Sequence, residues 1–199
     1  MAGMAELWAG QDFSTQLESR NNLVAAQLNQ PRWYALYTRF RYEKRVDKML
    51  DHRGIEHYLA LYEAVHRWKD RNARVQIPLF PSYVFVYLAL QDRMQALTIP
   101  GVIRLVGHPH PEPMAVEEVD AIKNYLSCRL PVEPYPYVTE GTRVRIATGP
   151  LAGMDGFVLR RKATCRVVIN LDLIHRSMAV EVAMADLEAA APPIPYRAA

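Results

Sequence analysis

Three prolines close together, Pro131, Pro134 and Pro136, divide the 199-residue chain into two segments of different character. Proline has no backbone N–H and a fixed φ, so this density disfavours both a helix and a sheet ladder. The segment before the prolines mixes helix and strand patterns, whereas the segment after them carries strand patterns alone. The sequence therefore predicts two domains joined by a semi-rigid linker over 128–138.

The segment before the linker predicts an α+β sandwich. Residues 33–38 alternate as in a half-buried strand, and residues 83–88 form the continuous apolar run of a central strand. Helical spacing of apolar residues predicts helices over 40–53, 92–98 and 116–126. Two strand–helix–strand units in this order are typical of a ferredoxin-like fold, which we assign to 32–127.

The remaining segments are read from composition and turn residues. Residues 139–188 contain short strand patterns punctuated by glycine, which predicts a small all-β barrel of four or five strands. Residues 1–31, rich in Gln and Asn, and residues 189–199, rich in Pro and Ala, are predicted to be flexible tails. Within the first domain, the polar stretch 68–72 predicts the tip of a hairpin.

Positive charge is concentrated in one part of the first domain. Eleven of the 24 Lys and Arg residues, but only six of the 21 acidic residues, lie in 32–74, although the net charge of the chain is +3. Arg41, Arg45 and Lys48 recur at a spacing that places them on one face of the predicted helix, just after Arg39. Such a stripe suits a polyanion, and a solvated helix face without a ligand is the alternative.

The sequence holds no constellation typical of an enzyme or a metal site. Its six histidines include no HExxH pair, and neither GxSxG nor GxGxxG occurs. Cys128 and Cys165 lack zinc-ligand spacing, and isolated thiols fit a reducing compartment. No apolar run reaches the ~18 residues of a membrane span, and the N-terminus has no secretory signal. We therefore predict a cytoplasmic, monomeric, non-enzymatic protein without metal or cofactor.

Two sets of motifs resemble a known family. The block GTRVRIATGPLAGMDGFV, from Gly141 to Val158, resembles a KOW motif, the strand–turn–strand unit of SH3-like barrels. In the first domain, WYALYT at 33–38, Glu43, PLFPSYVFV at 78–86 and PGVIRLVG at 100–107 look, in this order, like an NGN domain. Together they resemble the NusG family of transcription elongation factors, and most of all its specialised UpxY and RfaH types.

The resemblance implies partners and site residues. It implies an RNA polymerase contact at the β′ clamp helices through Tyr34, Tyr37, Phe80, Tyr83 and Phe85. It implies an approach to the non-template DNA of the elongation complex by Arg39, Arg41, Arg45 and Lys48. A factor bound in this way suppresses pausing or termination, and the likeness to the specialised types implies a restricted set of operons.

Two departures from the family's patterns keep alternatives open. RfaH-type members carry a His-Thr-Thr-Thr run that meets the other polymerase pincer, whereas this chain has Asp-Arg-Met-Gln at 92–95. The housekeeping factor meets ribosomal protein S10 through an apolar loop, at which this chain has Leu173 and Ile174, followed by His175 in place of a glycine. The alternatives are a housekeeping NusG-like factor coupling transcription to termination or translation, and a ribosome-associated KOW protein that binds RNA.

Overall fold

The described residues form two β-sheets, a separate two-stranded ribbon and several helices in a computed structural model. The residues described are 29–67, 72–138, 141–160 and 164–190. Nearly all of both predicted tails and most of the predicted hairpin tip, 68–71, lie outside them. None of the helices in the described residues is both long and apolar enough to cross a membrane.

The elements follow one another as a mixed segment and then an all-β segment, which confirms the predicted α+β class. The strands are β1 Arg32–Thr38, β2 His57–Tyr58, β3 Leu61–Arg67, β4 Asn72–Pro78, β5 Tyr83–Leu88, β6 Val102–Leu105, β7 Val132–Tyr135, β8 Thr142–Ile146, β9 Asp155–Arg160, β10 Thr164–Leu171, β11 Arg176–Ala183 and β12 Leu187–Ala189. The helices are α1 Glu43–His52, α2 Arg93–Leu97 and α3 Val116–Ser127. Short 3₁₀ turns lie at Leu90–Asp92, Asp172–Ile174 and Met184–Asp186.

The first sheet is antiparallel, in the order β2-β5-β1-β6. Counted along its own four strands this is the order of a ferredoxin-like sheet, because the first and third strands are central. Strands β3 and β4 leave this sheet and pair with each other as a ribbon, from Leu61 opposite Pro78 to Arg67 opposite Asn72. The ribbon joins the short strand β2 to the central strand β5.

Strand alternation sends the side chains of the first sheet into two different layers. Tyr34 and Leu36 of β1 pack in a core with Val46 and Leu50 of α1. Residues of opposite parity, such as Trp33 and Ala35, join a second core that includes Val119, Ile122 and Tyr125 of α3. Successive side chains of a strand point to opposite faces, so each layer collects every second residue.

Helix α1 begins three residues later than the sequence predicts. The predicted helix over 40–53 starts at Glu43, and a turn over 39–42 precedes it. Arg41 has φ 68°, which is left-handed backbone and incompatible with the first turn of an α-helix. Glu43 then lies in the first turn, where a carboxylate is stabilised by the helix dipole.

The proline-rich segment contains a strand, contrary to the prediction that it resists a sheet ladder. Strand β7 pairs with β11, and Pro134 lies opposite Met178. The second sheet runs β12-β8-β9-β10-β11-β7, so β7 lies at its edge. An edge position tolerates proline, because one side of the strand needs no N–H donors.

The second sheet and the α3 face of the first sheet share one apolar core. The cluster around Trp33 and Ile122 continues through Ile169 and Met178 of the second sheet. A cleft of about 610 Å³ lies where the ribbon and the end of α3 meet strands β7, β10 and β11. The second sheet therefore lies against the α3 side of the first sheet, away from α1 and α2.

Candidate functional site

Four of the five aromatic residues predicted to contact a partner lie together on the α3 side of the first sheet. Tyr37 and Tyr83 are opposite each other on β1 and β5, with ring centroids 5.4 Å apart. Phe80 and Phe85 form an edge-to-face pair 6.0 Å apart. We call these four residues the aromatic surface.

The two layers of the aromatic surface differ in access to solvent. Tyr37 and Tyr83 are partly exposed, whereas Phe80 and Phe85 are each only 1% exposed. Burial raises the pKa of the Tyr83 hydroxyl, and the positive charge of Arg176 opposes this rise. The tyrosines thus form the accessible rim of the surface and the phenylalanines its floor.

Tyr34, the fifth predicted residue, is not part of this surface. It has the opposite strand parity to Tyr37, so it points toward α1 and belongs to the other core. It is 2% exposed. The prediction that Tyr34 contacts a partner together with the other four is therefore wrong, because the sheet itself separates them.

Two arginines lie over the rim of the aromatic surface. The Arg104 guanidinium lies 5.8 Å from the Tyr37 ring centroid, and the Arg176 guanidinium lies 5.9 Å from that of Tyr83. Arg104 belongs to β6 of the same sheet, whereas Arg176 begins β11 of the second sheet. A cation over an aromatic face is attracted by the ring quadrupole. The second sheet therefore contacts the aromatic surface directly through Arg176.

A buried carboxylate holds the turn that carries Phe80. Glu43, in the first turn of α1, is 4% exposed and accepts a hydrogen bond from the Ser82 backbone N–H at 2.7 Å. Ser82 has φ 70°, and its carbonyl accepts from the Thr38 N–H at 2.8 Å. The turn between β4 and β5 is thus fixed to both α1 and β1, and this fixes the position of Phe80.

The predicted basic residues lie around the turn before α1 and along that helix. Arg39, Arg41, Arg45 and Lys48 are all exposed, and we call them the basic surface. None of them forms an ion pair with a residue in the described ranges. Arg41 and Arg45 instead lie over the rings of Phe40 and Tyr42, at 5.3 Å and 5.8 Å. Their charges are therefore available to a polyanion.

The loop before β11 packs its two apolar residues against the core. Ile174 is 3% exposed, and Leu173 is partly buried against the shared core. The resemblance implies a contact of both residues with ribosomal protein S10, and for Ile174 this is wrong, because the 3₁₀ turn directs its side chain inward. His175 follows with φ 47°, a conformation that glycine adopts more readily.

Two carboxylates approach each other where this loop meets α3. The pKa of Glu118 is raised, first by its partial burial and then by the negative charge of Asp172. Asp172 also accepts a hydrogen bond from the Tyr137 hydroxyl at 2.8 Å, which raises the pKa of that tyrosine. The contact between α3 and the second sheet therefore contains a repulsion between like charges at neutral pH.

Three further residues of the site carry weak or no local sequence signals. Arg104 and Arg176 come from strands that only the fold brings beside Tyr37 and Tyr83. Phe40 is 65% exposed beside the basic surface, although its apolar character alone suggests a core residue. Across the described residues, His, Cys, Asp and Glu form no group of three or more that could hold a metal ion.

Comparison with known proteins identifies a family. Residues 31–123 match the family model described as transcription termination factor nusG. This match covers the first sheet, α1, α2 and most of α3, including every residue of the aromatic and basic surfaces.

The relatives extend the likeness to both segments. The transcription termination/antitermination proteins NusG of Staphylococcus epidermidis and Staphylococcus aureus are 28% identical over 184 residues, spanning 83% of this chain and 99% of theirs. The solved structure titled "Domain interaction in Thermotoga maritima NusG" is similar in fold, with a TM-score of 0.55 at 20% identity, over 82% of this chain and 99% of that one.

Proposed function

This chain belongs to the NusG family, and we propose that it binds the elongating RNA polymerase and changes the response of the enzyme to pauses and terminators. Proteins of this family are transcription factors without enzymatic activity, so the effect arises from binding alone. The observation that carries the proposal is the aromatic surface, which lies within the matched residues and presents large side chains beside the guanidinium groups of Arg104 and Arg176. Large aromatic side chains are the usual anchors of protein interfaces.

The proposed polymerase contact uses the aromatic surface, Tyr37, Phe80, Tyr83 and Phe85. The partner is the pair of β′ clamp helices, whose apolar side chains would pack on the tyrosine rim. Arg176 of the second sheet lies over Tyr83, so binding at this ring requires Arg176 to move aside. Residues 32–127 would then act as the polymerase-binding unit, and 139–188 as a unit that can shift relative to it.

The proposed DNA contact uses the basic surface, Arg39, Arg41, Arg45 and Lys48. All four are exposed and form no ion pair among the described residues, which leaves their charge for phosphates. Phosphate contacts fix the orientation of a protein on DNA and make its affinity depend on salt. The non-template strand of the elongation complex is the proposed ligand.

The proposed direction of the effect is antitermination in a restricted set of operons. A factor bound to one clamp arm and to upstream DNA opposes clamp opening, which pausing and termination need. Stabilising the closed state by ~1.4 kcal/mol changes the equilibrium constant for pausing tenfold. A second clamp contact of the RfaH kind is not proposed, because Asp92-Arg93-Met94-Gln95 replace the polar His-Thr-Thr-Thr run.

A matched pair of tyrosine variants tests the polymerase contact. Tyr83 lies under Arg176 at 5.9 Å, and Tyr135, in the second sheet, lies under Arg166 at 5.8 Å. Tyr83→Ala should weaken binding to purified polymerase core by about 2 kcal/mol, while Tyr135→Ala should not. Equal affinities for both variants would remove the aromatic surface from the interface. Capture of ribosomes instead of polymerase would favour the RNA-binding alternative.

Transcription in vitro tests the proposed antitermination, and salt dependence tests the proposed DNA contact. On templates with a strong pause and a terminator, the protein should shorten the pause and raise readthrough. More termination on every template would favour a housekeeping role.

Replacing Arg41, Arg45 and Lys48 with Gln should lower the slope of log affinity against log salt by about 2 to 3 on the elongation complex. An unchanged slope would show that the basic surface is only solvated.

A further inference from the structure

The turn between β1 and α1 is held in place at both ends. The Arg39 backbone N–H donates to the Gly101 carbonyl at 2.8 Å, and the Tyr42 N–H donates to the Arg39 carbonyl at 3.0 Å. The Tyr42 side chain packs against Gly101 so closely that an added Cβ there would lie 2.5 Å from its Cδ1. The residues between these anchors are therefore displayed on a rigid support.

Phe40 lies at the tip of this turn and points away from the core. Its side chain is 65% exposed, whereas Tyr42, two residues later, is partly buried. A single exposed apolar side chain is common on protein surfaces and needs no explanation by itself. What distinguishes Phe40 is its surroundings, because Arg41 lies 5.3 Å from its ring centroid and the other cations of the basic surface are close in sequence.

The backbone at this tip is strained. Arg41 has φ 68°, a left-handed conformation that non-glycine residues rarely adopt. Strained backbone persists where the surrounding structure holds it, and it is found often at ligand-binding positions. The left-handed backbone of Arg41 ends the turn before α1 begins, so Phe40 is not part of the helix. Its ring therefore lies outside the apolar layer between α1 and the sheet.

We propose that Phe40 is a stacking platform for an unpaired base of single-stranded DNA. Proteins that bind single strands combine cations that follow the phosphates with aromatic rings on which bases stack. The basic surface supplies the cations, and Phe40 supplies an open ring beside them. This inference rests on the proposed function, which brings the non-template strand to the same surface, and it adds a contact with bases to the contacts with phosphates.

Binding of the full-length chain to a fluorescent single-stranded DNA of about ten nucleotides tests the proposal. Phe40→Ala should weaken binding about tenfold, equivalent to about 1.4 kcal/mol of stacking. Phe40→Trp should keep the affinity, and its added fluorescence should be quenched by the DNA but not by free phosphate. Met184→Ala is the matched control, because Met184 is another exposed apolar residue, at 53%, in the 3₁₀ turn between β11 and β12.

An oligonucleotide whose central positions are abasic separates stacking from charge. It keeps the phosphates, so the difference between the native chain and Phe40→Ala should vanish on it if the ring contacts a base. The proposal would be overturned if Phe40→Ala lowered the affinity equally for intact and abasic strands, or equally for duplex DNA. A loss of affinity confined to RNA of the same sequence would also overturn it. So would an unchanged affinity of Phe40→Ala.

Failure of this inference and failure of the proposed function give different results. Stacking involves no charge, so Phe40→Ala should leave the salt slope unchanged, whereas the Gln variant of Arg41, Arg45 and Lys48 should lower it. A lowered slope in the Gln variant with no effect of Phe40→Ala overturns only the stacking platform. No effect of either variant overturns both the stacking platform and the proposed DNA contact. A Phe40→Ala defect in binding polymerase core without DNA would assign the ring to a protein partner instead.

Discussion

The aromatic surface lies on the α3 side of the first sheet, whereas the basic surface lies along α1 and in the turn before it. The two differ in how far they are already built into the fold. Half of the aromatic surface is core, since Phe80 and Phe85 are buried and the second sheet lies over its rim. The basic surface is exposed and has no ion-pair partner among the described residues. Substitutions in the aromatic surface should therefore change both stability and the contact with the second sheet. Substitutions in the basic surface should change ligand binding and leave stability nearly unchanged.

The sharpest test of this contrast is Phe80→Ala. The family resemblance implies that Phe80 contacts RNA polymerase. Its burial and its edge-to-face contact with Phe85 make it a core residue as well. We expect Phe80→Ala to lower the free energy of unfolding by about 3–5 kcal/mol, measured by urea denaturation. Phe40→Ala is the control, with a change within about 0.5 kcal/mol.

A loss below about 1 kcal/mol for Phe80→Ala would break the comparison, because it would mean that Phe80 makes few core contacts and is free to serve a partner.

Glu43 joins the two surfaces, and its substitution should have the next largest effect. Its carboxylate accepts from the Ser82 N–H while its helix carries the basic surface. Glu43→Ala should cost about 1.5–3 kcal/mol of unfolding free energy, because it leaves a buried N–H unpaired. Glu43→Gln retains an acceptor oxygen and should cost less. Equal losses for both variants would show that the charge, rather than the hydrogen bond, matters most.

The sequence was informative where chemistry is local and misleading where it depends on packing. The order of strands and helices and the shared helix face of Arg41, Arg45 and Lys48 follow from spacing, whereas the motif residues follow from the family resemblance. Strand parity separates Tyr34 from Tyr37, whereas the family resemblance assigns both to one surface. The strand at Pro134 could not be predicted from the sequence. Proline disfavours a central strand, but Pro134 lies in an edge strand, and only the order of strands in the sheet shows this.

The contacts between distant parts of the chain had no local signal. Arg176 reaches Tyr83 only because the second sheet packs on the α3 side of the first sheet. The sequence pattern predicts Phe40 as the first residue of a helix. The left-handed backbone of Arg41 instead places Phe40 in the exposed turn before α1. Sequence periodicity assigns residues to faces of an element, but it does not show which other element covers each face.

One strained non-glycine residue lies in the basic surface and another lies in the turn that carries Phe80, and the two form a matched pair. Arg41 has φ 68° and Ser82 has φ 70°. Left-handed backbone costs about 1–2 kcal/mol for residues with a Cβ, and glycine removes this cost. Part of the gain in stability is lost, because glycine also increases the conformational entropy of the unfolded chain. Arg41→Gly and Ser82→Gly should each raise the free energy of unfolding by about 0.5–1 kcal/mol.

Salt dependence distinguishes the two glycine variants. Arg41→Gly should lower the salt slope of elongation-complex binding by about 0.7–0.9, because it removes one phosphate contact. Ser82→Gly should leave the slope unchanged, because Ser82 belongs to the turn beneath the aromatic surface. A lowered slope in Ser82→Gly would mean that the two surfaces are coupled through the turn rather than independent.

The smallest expected effect concerns the carboxylates that face each other where the second sheet meets α3. Glu118 has a raised pKa, chiefly from burial and then from Asp172, while a hydrogen bond from the Ala115 backbone works in the opposite direction. A raised carboxyl pKa means that folding favours the protonated form. The associated stability is fully present below the pKa of the unfolded chain, and it is lost as pH rises through the higher folded pKa.

Glu118→Gln should therefore stabilise the chain at neutral pH, by less than about 1 kcal/mol, since the site is partly exposed to solvent. The difference from the native chain should shrink as pH falls through the carboxyl range, because protonation of Glu118 removes the same repulsion. Urea unfolding across that range measures it, with Glu112→Gln, an exposed loop carboxylate, as the control. A stabilisation that grew at low pH would reverse the sign of the argument and would mean that the Glu118 carboxylate is favoured by its surroundings in the folded chain.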